Sequence, residues 1–154
     1  MPKLTTVHFN ELEYDPEAVF TFPGGLPGFE DETSFLFIEQ PHTRPLVFMQ
    51  SLRNPGLCFL ALPALTVEPE YRLSLSSEDL AALALPSGAT PQIGSEMGCF
   101  VLVTVAEDAG PTVNLMSPVV VNLRDRRGIQ AIPAASPYSL HHPLPLEKET
   151  VSCS

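Results

Sequence analysis

Prolines divide this chain into short segments. Its 154 residues include 17 prolines, about twice the ~5% usage of an average protein. Proline has no backbone N–H to donate, so it interrupts helices and is kept out of the interior of sheets. Turn signals recur roughly every 8 to 12 residues, a spacing typical of antiparallel sandwiches and barrels. The sequence therefore predicts an all-β, mainly antiparallel domain, barrel-like or sandwich-like.

The segments between turns have the length and composition of strands, with one exception. Ser76 is followed three residues later by Asp79, a helix-capping pattern, and Pro86 ends the apolar pattern. One short helix is predicted near residues 76–84, and 63–69 and 87–98 are predicted to be irregular. The predicted strands are 5–9, 12–14, 19–22, 35–38, 46–52, 57–62, 71–75, 99–105, 112–116, 118–123 and 129–132.

Residues 18–32, AVFTFPGGLPGFEDE, contain the most constrained loop in the chain. Phe20 and Phe22 alternate as on one face of a strand. The loop that follows combines glycines, which tolerate positive φ, with prolines, which fix φ. Its large apolar residues, Leu26 and Phe29, are expected to fold back as plugs and to leave an acidic tip at 30–32. The loop is either a structural turn that closes one end of a sheet or a docking surface.

Pro118 divides the apolar segment near the carboxyl end into two strands. Asn114 and Asn122 flank it and are expected to hydrogen-bond the backbone groups that the proline leaves free. Residues 124–128, RDRRG, form the one basic cluster. They are predicted to be a hairpin tip with Gly128 at a positive φ.

The charge is negative and unevenly distributed. The net charge is −10, and between Leu4 and Thr43 there are acids but no lysine or arginine. Binding to a phosphate backbone requires basic side chains that displace counterions, and an anionic membrane surface repels acids. We therefore expect no direct nucleic-acid or membrane binding. An acidic surface does suit a basic protein partner.

The three cysteines, Cys58, Cys99 and Cys153, form no disulfide framework, and two of them lie in apolar segments. Cysteine usage indicates a reducing compartment. The sequence has no secretory signal and no apolar stretch near the ~18 residues of a membrane-spanning helix. We expect a cytoplasmic protein.

Local motifs for catalysis, metal binding or cofactor binding are absent from the sequence. There is no nucleophile elbow and no phosphate-binding glycine loop before a helix. His141 and His142 are adjacent, a spacing that cannot direct both rings at one metal ion. We assign no catalytic, cofactor or metal residue and expect no enzyme activity, although catalytic groups can also meet from distant parts of a chain.

Four segments in order and in register resemble the flagellar assembly factor family, FliW. They are 22–30 (FPGGLPGFE), 48–51 (FMQS), 113–122 (VNLMSPVVVN), and Tyr138 with 142–144 (HPL). The resemblance implies a barrel-like β fold, a bacterial cytoplasmic location and no catalysis. It also implies two protein partners, flagellin and the carbon storage regulator CsrA, a small basic RNA-binding dimer. By binding CsrA, such a protein relieves the repression of flagellin mRNA until new flagellin competes it away.

The domain bounds and the site residues combine this resemblance with the loop and charge patterns described above. Residues 1–144 are expected to form a single FliW-like barrel domain, and 145–154 a disordered tail. The assigned partner-binding residues are Glu30, Asp31, Glu32, Glu68 and Glu70. The assigned structural residues of the family motifs are Phe22, Pro23, Gly25, Leu26, Pro27, Gly28, Phe29, Asn114, Pro118 and Asn122.

Two other functions stay open, a barrel that binds a small apolar molecule and a small enzyme with dispersed catalytic groups. An empty cavity favours the first, and a cleft that gathers groups with perturbed titration favours the second. A packed interior with an acidic, partly apolar outer patch favours the regulatory interaction protein.

Overall fold

The computed structural model describes residues 2–86, 88–89, 92–94, 96–106, 109–133 and 136–144. Two short helices and eleven strands lie within these ranges, together with 3-10 turns at Pro16–Ala18 and Pro41–Thr43. The helices are α1 (Ala64–Val67) and α2 (Ser77–Ala82). The strands are β1 (Lys3–Thr6), β2 (Asn10–Glu13), β3 (Phe20–Thr21), β4 (Ser34–Glu39), β5 (Val47–Ser51), β6 (Cys58–Pro63), β7 (Met97–Ala106), β8 (Ala109–Val113), β9 (Val119–Asn122), β10 (Arg127–Gln130) and β11 (His142–Pro143).

Seven of these strands close into a barrel. Their order is β7-β6-β5-β4-β3-β10-β9, and β9 pairs back with β7. The β3–β10 pair is parallel, and the other pairs in this ring are antiparallel. The predicted all-β, mainly antiparallel fold is confirmed, and the barrel is the alternative that the structure adopts. Strands β1 and β2 form a separate two-stranded sheet.

Strand β7 joins the barrel to a small outer extension. It pairs with β9 over its first residues and with β8 further along, and β11 adds to the outer edge of β8. Residues 114–118 separate β8 from β9. The predicted break at Pro118 is therefore confirmed.

Alternate residues of the barrel strands face two different apolar clusters, as the two-residue period of a strand requires. The inner cluster fills the barrel, and the outer cluster lies between the barrel and the segments that cover it. Buried members of the inner cluster are Phe20, Phe22, Leu26, Phe35, Met49, Ala61, Val119 and Val121. Buried members of the outer cluster include Leu62, Tyr71, Leu83, Met97, Cys99, Val101, Val113, Leu115 and Val120.

The predicted strand at 71–75 is wrong, because this segment pairs with no other strand. Its side chains do alternate between buried and exposed, since Tyr71, Leu73 and Leu75 pack on the outer cluster. Hydrogen bonds that involve side chains take the place of some of the backbone hydrogen bonds that a paired strand would make. The Tyr71 hydroxyl donates to the carbonyl of Leu115 at 2.6 Å, and the amide of Arg72 donates to the Tyr138 hydroxyl at 2.9 Å.

The helix predicted near 76–84 is confirmed as α2. Ser76 accepts from the amide of Asp79, whose carboxylate accepts from the amide of Ser76 in return. This reciprocal pair satisfies two backbone donors that a helix start leaves free. Helix α1 was missed, because four residues between prolines carry no helical period.

The predicted role of Gly128 is wrong. The positive φ in the 124–128 turn belongs to Arg126 at 57°, and Gly128 lies inside β10. A Cβ at Gly128 would lie 2.5 Å from Cζ of Phe22. Glycine is needed here because the Phe22 ring lies against the backbone. Strand β10 begins at Arg127, two residues before the predicted start at 129.

The predicted tail at 145–154 lies outside the described residues, as do parts of the predicted connection at 87–98. In the described ranges, no helix has both the length and the apolar character needed to cross a bilayer.

Candidate functional site at the two ends of the barrel

One end of the barrel is closed by residues 23–32, which we call the closing loop. Leu26 is only 2% exposed and joins Phe22 in the inner cluster. The amides of Leu26 and Phe29 donate to each other's carbonyls at 3.2 and 2.7 Å. Gly25 has a φ of +67°, and a Cβ there would lie 2.5 Å from the carbonyl oxygen of Phe29. The predicted stiff loop with Leu26 as a plug is confirmed.

Phe29 does not act as a second buried plug, which corrects that part of the prediction. Its side chain is 40% exposed and meets the Phe59 ring edge-on at a centroid distance of 5.2 Å. Leu26 already fills the space above Phe22, so the second ring has only the rim of the barrel to contact. The closing loop therefore presents an aromatic ring that is half anchored and half in water.

The acidic tip is smaller than the sequence suggested. Glu30 and Asp31 are exposed, and Glu30 accepts from the amide of Gly28 at 3.1 Å. Glu32 is half-buried, and its carboxylate accepts from the Ser51 hydroxyl at 2.5 Å. Two carboxylates therefore face solvent beside Phe29, whereas the third holds the closing loop to the end of β5.

The other acidic pair assigned to partner binding lies elsewhere. Glu68 is the carboxyl-terminal cap of α1, which directly follows Pro63 at the far end of β6, and Glu70 is exposed just beyond it. Phe29 packs at Phe59, near the start of β6. Six strand residues span roughly 17 Å. The structure does not bring the two acidic groups together.

The two asparagines flanking Pro118 have different tasks. Asn114 Oδ1 accepts from the amide of Ser117 at 2.9 Å, so its predicted role at this corner is confirmed. Asn122 instead accepts from the amides of Arg124 and Asp125 and donates to the carbonyl of Leu83 at 2.8 Å. The predicted contact of Asn122 with the Pro118 corner is wrong, because its side chain organises the next turn and holds α2 to the barrel.

The opposite end of the barrel, which we call the mouth, is not plugged. A cavity of about 230 Å³ opens there. Its floor is formed by the rings of Phe20, Phe37 and Phe100, whose neighbouring centroids lie 4.9 Å (Phe20 to Phe37) and 5.2 Å (Phe37 to Phe100) apart. The full lining is Phe20, Phe37, Glu39, Val47, Phe100, Val121 and Leu123.

A second opening of about 310 Å³ shares Phe100 and Leu123 with the mouth and extends outward to Leu65. Sequence reasoning missed both openings. Phe37 and Phe100 lie within apolar strands, and nothing local distinguishes a ring that faces a cavity from one that fills it.

Burial keeps two cysteine thiols and one tyrosine hydroxyl neutral in the described part of the chain. Burial raises the pKa of Cys99 to about 12 and that of Cys58 to about 11. The pKa of Tyr71 is also raised, first by burial and then by the neighbouring Cys99 and Tyr138. Within the described part of the chain, no group of three or more His, Cys, Asp or Glu residues is placed to hold a metal ion.

Comparisons with known proteins agree with this architecture. The model of the FliW protein family matches residues 3–144. A flagellar assembly factor FliW from Natranaerobius thermophilus is 35% identical, over 92% of this chain and 91% of that protein. One from Syntrophomonas wolfei is 32% identical, over 92% of this chain and 88% of that protein.

A solved structure of the flagellar assembly factor FliW shares the fold. Its TM-score is 0.79 at 27% identity, and the match covers 92% of this chain and 96% of that one. The sequence relatives match nearly the whole length of this chain. On these grounds, the chain belongs to the FliW family of flagellar assembly factors.

Proposed function

We propose that this protein is a non-catalytic cytoplasmic regulator that binds the carbon storage regulator CsrA and flagellin. By occupying CsrA it relieves the repression of flagellin mRNA, and newly made flagellin competes for it. Flagellin synthesis then follows flagellin export. Membership of a family of flagellar assembly factors supports this proposal, and so do the surface and charge of the closing loop.

The observation that carries the proposal is the exposed part of the closing loop. Phe29 is half in water beside the carboxylates of Glu30 and Asp31. The backbone beneath them is fixed by Gly25 and by the paired amides of Leu26 and Phe29. A rigid surface with an aromatic anchor and a charged rim loses little conformational entropy when a partner binds.

Charge determines which of the two partners this surface suits. The protein carries a net charge of −10, which steers a basic protein toward it and slows the approach of an acidic one. The carbon storage regulator is the basic partner, so the closing loop is assigned to it. The same charge disfavours contact with the mRNA itself.

The test is the association rate of purified CsrA with a variant that reverses two charges, Glu30→Lys with Asp31→Lys. We expect association at low ionic strength to slow by about tenfold, because rim charges act mainly on encounter. Glu32 is left unchanged since it holds Ser51. The control makes the same change in charge on the separate β1–β2 sheet, at Glu11 and Glu13, both exposed.

Equal slowing in the control would show that net charge acts without a specific surface. Association unchanged in both variants would remove the closing loop from the interface. A second assay adds flagellin to the preformed complex with CsrA, and release of CsrA is the expected result. A wild-type protein that binds neither partner contradicts the proposed function as a whole.

The alternative of a small-molecule barrel receives less support. The mouth holds about 230 Å³ and the second opening about 310 Å³, so each taken singly lies at or below the lower end of the roughly 300–1,000 Å³ of most ligand sites. Its lining has one charged side chain, Glu39, among apolar ones, whereas ligand sites combine apolar walls with several converging polar groups.

A further inference from the structure

The mouth of the barrel is a second surface whose chemistry differs from that of the closing loop. The aromatic rings that form its floor are partly exposed to solvent, although a longer turn could cover them. Phe37, Phe100 and Leu123 are half-buried. An apolar opening of this kind is costly to leave in water, and one that persists often marks an interaction site.

The basic residues of the chain concentrate beside this opening. Three of the eight lysines and arginines are Arg124, Arg126 and Arg127, in the turn that directly follows Leu123 in the lining. The guanidinium of Arg126 lies 5.4 Å from the centroid of the Phe20 ring in the floor. A protein of net charge −10 therefore has its one dense group of arginines on the rim of an apolar cavity.

Two of these arginines expose their side chains to solvent. The Arg124 side chain is 86% exposed, and it faces Asp125 at 3.6 Å. Arg126 is exposed apart from its contact with Phe20. Arg127 is turned away, since its Nε donates to the carbonyl of Ala82 at 3.1 Å. Asn122 fixes the turn by accepting from the amides of Arg124 and Asp125.

The opposite rim carries the opposite charge. Glu39 is exposed at the end of β4 and lines the same cavity. An occupant with a carboxylate is attracted to the arginine side and repelled by the Glu39 side. Charge thus determines the orientation as well as the chemistry of what binds.

We propose that the mouth binds an apolar side chain of a protein partner that carries an acidic residue beside it. A cavity of about 230 Å³ that is open to solvent suits an anchor residue better than a whole ligand. The assignment to a partner rests on the function proposed above. The carbon storage regulator is basic and is repelled by the arginine turn, so flagellin is the partner that the mouth takes. Flagellin then displaces CsrA from the opposite end of the barrel without sharing its surface.

The experiment measures the binding of monomeric flagellin and of CsrA, each from the same bacterium, to full-length variants. The first variant is Arg124→Glu with Arg126→Glu. We expect the affinity for flagellin to fall at least about tenfold at low ionic strength and less in high salt. Binding of CsrA is expected not to weaken, because the added negative charge favours a basic partner. The control makes the same change in charge with Lys3→Glu and Arg72→Glu, two exposed residues whose side chains make no hydrogen bond or ion pair among the described residues.

A second variant tests the apolar part. Leu123→Gln is expected to weaken flagellin mainly through faster dissociation. Its control is Val105→Gln at an apolar side chain that is 67% exposed on β7. Circular dichroism and the melting temperature of each variant show whether it has folded. If Leu123→Gln does not fold, the charge variants provide the test.

Each outcome decides the assignment. Unchanged flagellin binding in both mouth variants overturns it while leaving the proposed function standing, provided that the wild type binds both partners. Loss of CsrA binding instead of flagellin binding overturns it as well. A change of oligomeric state in sedimentation would assign the mouth to a second copy of this chain. A small apolar molecule released on denaturation and seen by mass spectrometry would assign it to a ligand.

Discussion

The two ends of the barrel are built from the same strands yet differ in how they are finished. At one end the closing loop inserts Leu26 above Phe22, and both side chains are almost fully buried. At the mouth, the turn after β4 and the turn at 124–126 contribute no side chain to the lining of the cavity, and the rings of Phe37 and Phe100 stay half-exposed. The comparison shows that the end of a barrel becomes core where a connection inserts a side chain into it, and surface where its connections contribute none.

The closed end of the barrel contributes mainly to stability, whereas the mouth is available for recognition. Side chains at the closed end contact neighbours on all sides, so substitutions there are expected to act on folding. Side chains at the mouth have an open face and can be changed with less loss of packing.

The largest effect is expected from removing a ring at the closed end. Phe22 is 0% exposed and packs against Phe35 at a centroid distance of 5.3 Å. Phe22→Ala should lower the free energy of unfolding by about 3 to 5 kcal/mol. Phe37→Ala, at the mouth, should cost clearly less, because that ring already faces a cavity.

Urea unfolding of both variants measures this difference. Equal losses would mean that the mouth is packed as tightly as the closed end. The two ends would then not differ in kind, and the distinction between core and surface would fail.

The second effect compares two glycines that meet aromatic rings. A Cβ at Gly128 would lie 2.5 Å from Cζ of Phe22, and one at Gly98 would lie 2.8 Å from Cε2 of Phe100. Gly128→Ala should cost about 1 to 3 kcal/mol because the Phe22 ring is enclosed and has no space to move. A Cβ at Gly98 would also lie 2.9 Å from Cγ2 of the buried Val121. Gly98→Ala should still cost less, because the Phe100 ring, its nearest neighbour, lines the open mouth.

A double variant identifies the cause. Phe22→Leu shortens the side chain that the new methyl group meets, so Gly128→Ala should cost less in that background than in the wild type. Additive losses in the chemical unfolding of these proteins would contradict the contact as the reason for the glycine.

Much of this architecture could be predicted from the sequence where the determining interactions are local. The capping pair of Ser76 and Asp79 is three residues apart, and the predicted helix was confirmed. The glycines and prolines around Leu26 act within one loop, and its burial was predicted as well. Closure of the barrel depends instead on β9 returning to β7, which no local pattern specifies.

The site was less predictable because its contacts join distant residues. Glu32 was assigned to an acidic tip, but its partner Ser51 lies 19 residues away. Gly128 was assigned to a turn, whereas Phe22, more than a hundred positions earlier, explains it. The segment 71–75 has the alternation of a strand, but whether an alternating segment pairs depends on a free neighbouring edge. Sequence alone does not show which edges are free.

The third effect concerns alkaline pH and how deeply water enters beside the mouth. Cys99 lines the second opening but is only 3% exposed, and burial raises its pKa from 9.0 to about 12. The unfolded chain therefore loses this proton first as pH rises. The stabilisation is complete below pH 9 and is lost on the way to pH 12, at on the order of 1 kcal/mol per pH unit.

Urea unfolding between pH 8 and 11 measures this loss in the wild type and in Cys99→Ala. The variant should show the shallower decline, and part of the change comes through Tyr71, because Cys99 is one of the groups that raise the Tyr71 pKa. Identical slopes would show that water reaches the Cys99 thiol and that the opening continues below the surface.

The smallest effect compares two hydroxyl groups in turns at opposite ends. Ser51 donates to Glu32 and accepts from the amides of Arg53 and Asn54 at 3.1 and 2.9 Å. Ser51→Ala removes three hydrogen bonds and should cost about 1 to 2 kcal/mol, because partly buried groups lose their partners. Thr43→Ala removes one bond, to the carbonyl of Gln40 at 3.3 Å near the mouth, and should cost below about 0.5 kcal/mol.

Ser51→Ala has a further consequence that Thr43→Ala lacks. Glu32 loses the group that holds it, and a third carboxylate becomes free on the closing loop. CsrA should then associate slightly faster at low ionic strength even though the protein is less stable. Stopped-flow measurements on both variants separate the two effects, and slower association in Ser51→Ala would show that the loop must stay fixed to bind.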